Sequence, residues 1–287
     1  HGMRGEKQDN MQESDDYIDP VYQIPVYSLY GNTRRPTDKM MEAFDHLVVD
    51  IQDVGTRVYT FITTLRYMLE ACAKLKKGVW VLDRPNPAGR IIEGSKLDMK
   101  FESFVGLGPI PMRHGMTVGE IAGWIVHHFQ LKLDLTVIAM RGYDPNRGPG
   151  YGWPSKELSW VNPSPNAATP AMPKIYPGSV LIEGTTLSEG RGTTHPLETV
   201  GAPDISIRLV LGKMDQIATE WVKGCTLRTC FFEPTFHKHA GRLCEGFQIH
   251  VDHPSYVHNQ FKPYRLFALF LKAIRVVYPN YQIWREF

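Results

Sequence analysis

The richest chemistry in the chain lies in one run, Glu183-Gly-Thr-Thr-Leu-Ser-Glu-Gly-Arg-Gly-Thr-Thr-His195-Pro196. Its fourteen residues hold two carboxylates (Glu183, Glu189), one guanidinium (Arg191), five hydroxyls, Thr193 among them, and three glycines. Glycines let backbone approach a ligand or take up positive φ. The hydroxyls and Arg191 offer donors to a polyhydroxylated or anionic substrate. A hydrophobic core has no use for that mixture, and a solvated turn accounts for one or two of the residues, not the run. The stretch reads as a loop that lines a site.

Other loaded positions follow short apolar runs. Asp50 and Asp53 come after Val48-Val49, three residues apart, with Arg57 and Tyr59 just beyond. The two carboxylates can share a site, although Asp53 also suits a helix N-cap. Asp83-Arg-Pro-Asn-Pro87 ends another run; there Asp83 either acts as a strand-end carboxylate or pairs with Arg84 and braces a turn that contains Asn86. Arg113 and His114 precede a helix start, which favours anions; a loop histidine is as readily a structural hydrogen-bonding group. Trp160, Asn162 and Asn166 sit in a proline-stiffened loop, where an indole and two amides suit a sugar ring or, for Trp160, a core.

These positions need elements to hold them. Residues 24–30 and 46–51 read as strands, 36–44 as a short helix capped by Thr37, and 59–76 as a helix closed by Gly78. Residues 79–82 form the next strand. Thr117 with Glu120 three residues on makes a capping box for a helix to 129, followed by a strand at 135–140. Alternating strands and helices of this kind make a parallel α/β sheet, whose ligands bind at the strands' carboxyl ends. The proline-rich stretch 141–173 reads as a linker or site loop. Beyond it, strands are expected at 179–182, 226–232 and 247–251, and helices at 205–213 and 264–277. The fold class is therefore α/β, with a parallel-sheet domain over 1–150 and a smaller α+β domain over 151–287.

Composition narrows the function. A chain of 287 residues, 43% hydrophobic and 22% charged, is globular in type. A formal charge of +2 gives no basic field for nucleic acid, so no such partner is expected, and no apolar run is long enough for a transmembrane segment. The dinucleotide glycine fingerprint, the P-loop, His-Glu-x-x-His and Gly-x-Ser-x-Gly are all missing, so no cofactor is expected. His237, His239, Cys230 and Cys244, or His250, His253 and His258, match no zinc spacing, and no metal is expected. Cys72 reads as a buried thiol; a pair among Cys225, Cys230 and Cys244 can bridge in an oxidising compartment. What remains is a cleft of carboxylates, arginine, amides and tyrosine, suited to glycosidic hydrolysis or to glycan binding.

Several motifs in order carry a resemblance. They are His1-Gly-Met-Arg-Gly5, Ser28-Leu-Tyr-Gly31, Asp50-Ile-Gln-Asp-Val-Gly55, Leu82-Asp-Arg-Pro-Asn-Pro87, Arg113-His-Gly-Met-Thr117, Pro163-Ser-Pro-Asn166, Tyr176-Pro-Gly178, Glu183-Gly-Thr185, Ser188-Glu-Gly-Arg-Gly-Thr193 and Gly201-Ala-Pro203. With them the chain resembles the bacterial exo-β-N-acetylmuramidases, long catalogued as a domain of unknown function. The resemblance implies a Rossmann-like first domain, a smaller second one and a site in the cleft between them. It implies release of N-acetylmuramic acid from the non-reducing ends of peptidoglycan fragments, outside the cytoplasm and in cell-wall recycling, and it adds His1 to the substrate-contacting set. In the family a Pro-Glu pair precedes the His-Gly of this first motif, and that glutamate is the leading candidate acid. The chain begins after it and is expected to be truncated at both ends. On this reading that glutamate, or else Glu183, protonates the leaving oxygen, Asp50 or Asp53 supports charge or water, and Arg57, Arg113 or Arg191 pairs with the lactyl carboxylate. The rival readings are a non-catalytic cell-wall glycan-binding protein and, more weakly, a sugar-modifying transferase.

Overall fold

The computed structural model describes residues 5, 13–144, 152–154 and 157–286. A short antiparallel ribbon comes first, β1 (Tyr17–Ile18) with β2 (Pro25–Val26), so most of the strand expected over 24–30 is irregular chain leading to Tyr30. Thr37 caps α1 (Asp38–Glu42), accepting from the Met40 N–H. Next come β3 (His46–Val49), α2 (Phe61–Leu75), β4 (Gly78–Leu82), β5 (Glu93–Lys96), β6 (Pro111–Arg113), α3 (Val118–His128) and β7 (Leu135–Ile138). β3, β4 and β7 make a parallel sheet with β4 in the middle. β5 and β6 pair antiparallel. The expected capping box opens α3: Thr117 Oγ1 accepts from Glu120 N at 3.2 Å, and Glu120 Oε2 accepts from Thr117 N at 2.8 Å. The end of α2 differs from expectation. Lys76, at φ 56°, is its left-handed cap, while Gly78 already belongs to β4, where an added Cβ would lie 2.1 Å from the His46 ring.

Side chains alternate across a strand, and α2 and α3 cover one face of the parallel sheet. Val49, Val79 and Val81 pack there against Ile62, Leu65, Leu69, Ile121 and Ile125. Each such side chain taken out of water contributes about 1.5–3 kcal/mol. Val48, Trp80 and Ile138, on the opposite face, are about half exposed. The strand at His46–Val49 is thus only partly buried, and that at Leu135–Ile138 is largely exposed.

The second half contains α4 (Met172–Ser179), a 3-10 turn at Val180–Gly184, β8 (Thr199–Ala202), α5 (Ile207–Ala218), β9 (Thr226–Phe232), β10 (Cys244–His250) and α6 (Pro263–Val277). An antiparallel sheet, β8-β10-β9, packs through Val200, Phe247 and Ile249 onto Val210, Met214, Phe267 and Phe270 of the two long helices. A parallel α/β half followed by a smaller α+β half is the fold class expected. The stretch 179–182 is helical, which overturns the strand expected there; four apolar residues have no period that distinguishes the two. A third cluster, Val54, Tyr59, Ala167, Met172, Tyr176 and Leu197, seals the seam between the halves. All four cysteines are free thiols, so the bridge allowed among Cys225, Cys230 and Cys244 does not form. Among the described residues no helix is long and apolar enough to cross a membrane.

Candidate active site

A pocket of about 260 Å³ opens on the seam. It is smaller than the roughly 300–1,000 Å³ of pockets that take drug-sized ligands, and its size suits one sugar ring. Its walls come from both halves: Tyr30, Arg34, Tyr59 and Phe61 on one side, Ser164, Asn166, Tyr176, Glu183 and Arg191 on the other. Glu183 stands on the 3-10 turn that follows α4. Gly190 and Gly192, at φ 77° and 81°, then fold the loop back so that Arg191 meets it. At both glycines an added Cβ would strike backbone, Thr199 O at 2.7 Å and Phe236 O at 2.5 Å.

Arg191 is the hinge of the site's electrostatics. Its Nη2 lies 2.5 Å from Glu183 Oε1 and its Nε 3.2 Å from Glu189 Oε1. Burial works to lower the Arg191 pKa, but the Glu183 carboxylate beside it wins, and the net direction is upward. Glu183 remains 37% exposed in its side chain, whereas Glu189 is fully enclosed and also meets Lys238 at 2.7 Å and His237 at 3.4 Å. Only Glu183 of the two reaches the pocket. Thr193 closes its own turn, donating to Gly190 O at 2.6 Å and accepting from His195 N.

Three donor nitrogens at this pocket's residues are buried without hydrogen-bond partners: Arg191 Nη1, Arg34 Nη1 and Asn166 Nδ2. An unpaired buried donor costs about 1–3 kcal/mol; Arg57 Nε, Arg113 Nη1 and His114 Nε2 are in the same state away from this pocket. Tyr30 Oη lies within hydrogen-bonding distance of Thr60 and Thr64, and burial raises the pKa of Tyr30, Tyr59 and Tyr176. Their phenols stay neutral and present apolar ring faces.

The remaining sequence candidates separate. Asp53 is buried behind the pocket, accepting from Gly55 N at 2.7 Å through Oδ2, with His114 Nε2 3.3 Å away. It turns the chain and does not cap α2, which starts at Phe61. His114 Nδ1 accepts from Met116 N, while its Nε2 is buried without a hydrogen-bond partner. Asp50 is not beside Asp53; it forms a surface pair with Arg84, Nε to Oδ1 at 2.7 Å. Asp83 accepts from Gly119 N and Thr117 Oγ1, which fixes the start of α3. Asp50, Asp83 and Arg84 line a larger cleft, about 830 Å³, at the strand ends. Of its described carboxylates, Asp50 and Asp83 are engaged by protein groups, and Asp144 and Glu157 also line it; the smaller pocket is taken as the candidate because the Glu183–Arg191 pair lines it. Arg57 donates to Ser95 O at 2.7 Å and Ile110 O at 2.6 Å, and Arg113 donates to Ala88 O; burial lowers the pKa of both. Asn86 is held by Met116 O and Ala88 N. Asn162 is exposed, and Trp160 donates to Ala167 O against the seam cluster. His1 lies outside the described residues.

Sequence reasoning about individual residues missed Tyr30, Arg34 and Tyr176 in the pocket and Lys238 behind it. Tyr30 and Tyr176 stand inside two of the quoted motifs and were findable there. Arg34 and Lys238 carry no local signal.

Two family models account for most of the chain: exo-beta-N-acetylmuramidase NamZ, N-terminal, over residues 1–171, and its C-terminal counterpart over residues 174–287. The peptidoglycan beta-N-acetylmuramidase NamZ of Bacillus subtilis (strain 168) is 42% identical over 281 residues, covering 98% of this chain. The chain spans 65% of that relative's length. Crystal structures of two DUF1343 family proteins from Bacteroides fragilis NCTC 9343 are also similar, each at 29% identity. One superposes with a TM-score of 0.82 over 91% of this chain and 66% of its own, the other with 0.73 over 93% and 69%.

Proposed function

Because the chain belongs to the exo-β-N-acetylmuramidase NamZ family, we propose that its seam pocket binds a terminal N-acetylmuramic acid and hydrolyses the bond behind it. The substrates on this reading are peptidoglycan fragments, attacked from their non-reducing ends outside the cytoplasm, in recycling of the cell wall. The carrying observation is the Glu183–Arg191 pair beside the unpartnered nitrogens of Arg191, Arg34 and Asn166. Muramic acid differs from glucosamine by one lactyl ether, an anionic group. A guanidinium with a free terminal nitrogen is the group that reads a carboxylate, and of the three arginines weighed from sequence only Arg191 lines the pocket.

The geometry supports one division of labour. Glu183, paired with the Arg191 guanidinium at 2.5 Å, is assigned to stabilise charge at the developing oxocarbenium ion. The proton for the leaving oxygen then falls to the glutamate that precedes the His-Gly motif in family members. The two halves divide near residue 150 and close on the sugar from opposite sides.

The test is release of 4-nitrophenol from 4-nitrophenyl β-N-acetylmuramide, with the glucosaminide as control. It uses the chain as given and a form carrying the family's Pro-Glu before His1. Turnover of the muramide alone, by either form, supports the reading. Muramic acid binding without turnover by either favours a glycan-binding protein, and no binding refutes both.

A further inference from the structure

The segment His237-Lys-His239 belongs to no part of the reaction so far. It lies in a loop between β9 and β10 that folds over the back of the Glu183–Gly192 loop. Thr235 donates to Gly192 O through both its N–H and its hydroxyl, each at 2.9 Å. His239 Nε2 lies 2.8 Å from Thr186 O, and His237 Nδ1 lies 3.4 Å from Glu189 Oε1. Between them Lys238 Nζ makes three bonds, to Ile182 O and Leu187 O at 2.8 Å and to Glu189 Oε2 at 2.7 Å. Three donors meet three acceptors, so the ammonium is fully used.

Two features separate this from an ordinary surface lysine. The Lys238 side chain is only 10% exposed. His237 and His239 both have left-handed backbone, φ 70° and 59°, a conformation that only a few per cent of non-glycine residues adopt. Together these bends aim Lys238 into the loop. Its acceptors are chosen too. Ile182 immediately precedes Glu183, Leu187 lies mid-loop, and Glu189 holds Arg191 Nε.

We infer that Lys238 is a positioning residue: through Ile182, Leu187 and Glu189 it fixes Glu183 and Arg191 relative to each other before substrate arrives. The inference rests on the proposed function for its kinetic consequence, but not for its structural one. Preorganisation is worth having because a site loose by 1 Å loses much of its rate.

The experiment measures amide hydrogen exchange across residues 183–193 in the free chain and in Lys238→Met and Lys238→Arg, together with kcat and KM on the muramide. Lys238→Met should raise exchange in that loop at least tenfold while β9 and β10 stay protected. It should also lower kcat/KM at least tenfold, mostly through kcat. Lys238→Arg, which still donates to Glu189, should recover most of both. Unchanged loop exchange in Lys238→Met overturns the inference, as do equal losses in both variants accompanied by exposure of the sheet. Loosening of the loop in a chain whose unaltered form shows no turnover strikes only the proposed function. If Lys238→Met does not fold, Glu189→Gln removes the charge that links Lys238 to Arg191 while keeping the shape, and the same loosening is expected.

Discussion

Replacing Arg191 by glutamine separates two roles that the structure gives one side chain. Arg191 is 4% exposed and pairs with Glu183 and Glu189. Removing one partner from a buried ion pair commonly costs about 3–5 kcal/mol. Here the figure is reduced, since Glu183 is 37% exposed and Glu189 keeps Lys238 at 2.7 Å; a loss of about 2–3 kcal/mol of folding stability follows. The ligand effect is separate. A hydrogen bond from a cation to a carboxylate is worth about 1.5–3 kcal/mol, which at 1.4 kcal/mol per decade is roughly 10–150-fold in affinity. That factor should fall on N-acetylmuramic acid and spare N-acetylglucosamine, which has no lactyl group. Calorimetric titration of both sugars into the unaltered chain and Arg191→Gln gives the ratio directly, and urea unfolding gives the stability term. Equal losses for the two sugars would make Arg191 a structural residue and refute the carboxylate reading, however large the losses were.

Two further outcomes are expected. Burial, with Arg113, Lys174 and Lys262 nearby, pushes the His258 pKa down from 6.5 to about 4. The unfolded chain therefore takes up this proton first: stability from His258 is fully present above about pH 6.5 and declines as pH falls towards 4, by up to about 3 kcal/mol. His258→Gln should flatten the thermal midpoint over that window, and an unchanged slope would show that the ring is not buried neutral. Thr117→Ala removes both the cap on Glu120 N and the donor to Asp83 Oδ2. It should cost about 1–2 kcal/mol in urea unfolding with muramide KM unaltered, because that helix start lies outside the pocket.

What was legible in the sequence depended on how far each signal had to travel. Thr37 and Thr117 announce their helices because a cap acts over three residues, and both side chains make the expected bonds. Glu183 and Arg191 were legible together since eight residues rich in glycine bring them into contact. Arg57 and Arg113 looked identical in kind to Arg191. Their acceptors, though, are the backbone carbonyls of Ser95, Ile110 and Ala88, 25 to 53 residues away, and no local pattern encodes such a partner. Asp50 and Asp53 misled by proximity: Asp50 pairs with Arg84 at the surface, whereas Asp53 is buried and accepts from Gly55 N.

The same distinction explains why the site stands at the seam and not at the strand ends. Carboxylates at the ends of β3 and β4 are engaged at once by near neighbours, Asp50 by Arg84 and Asp83 by the first turn of α3. A charged group satisfied by its own element has nothing left for a ligand. At the seam the demands of two cores compete. Tyr59, Met172 and Tyr176 close the apolar contact between the halves, and the polar groups around them are held from only one side. Glu183 has one guanidinium, Arg191 keeps a free Nη1, and Asn166 keeps a free Nδ2. Buried polar atoms without partners also occur elsewhere, at Arg57 Nε, Arg113 Nη1 and His114 Nε2, but at the seam they belong to residues that line a pocket. A pocket built this way trades stability for readiness, which predicts that substitutions filling it with apolar side chains, such as Asn166→Leu, raise the unfolding midpoint while abolishing sugar binding. A fall in the midpoint for Asn166→Leu would mean that Nδ2 is already satisfied in solution, and the argument for a waiting acceptor site would fail with it.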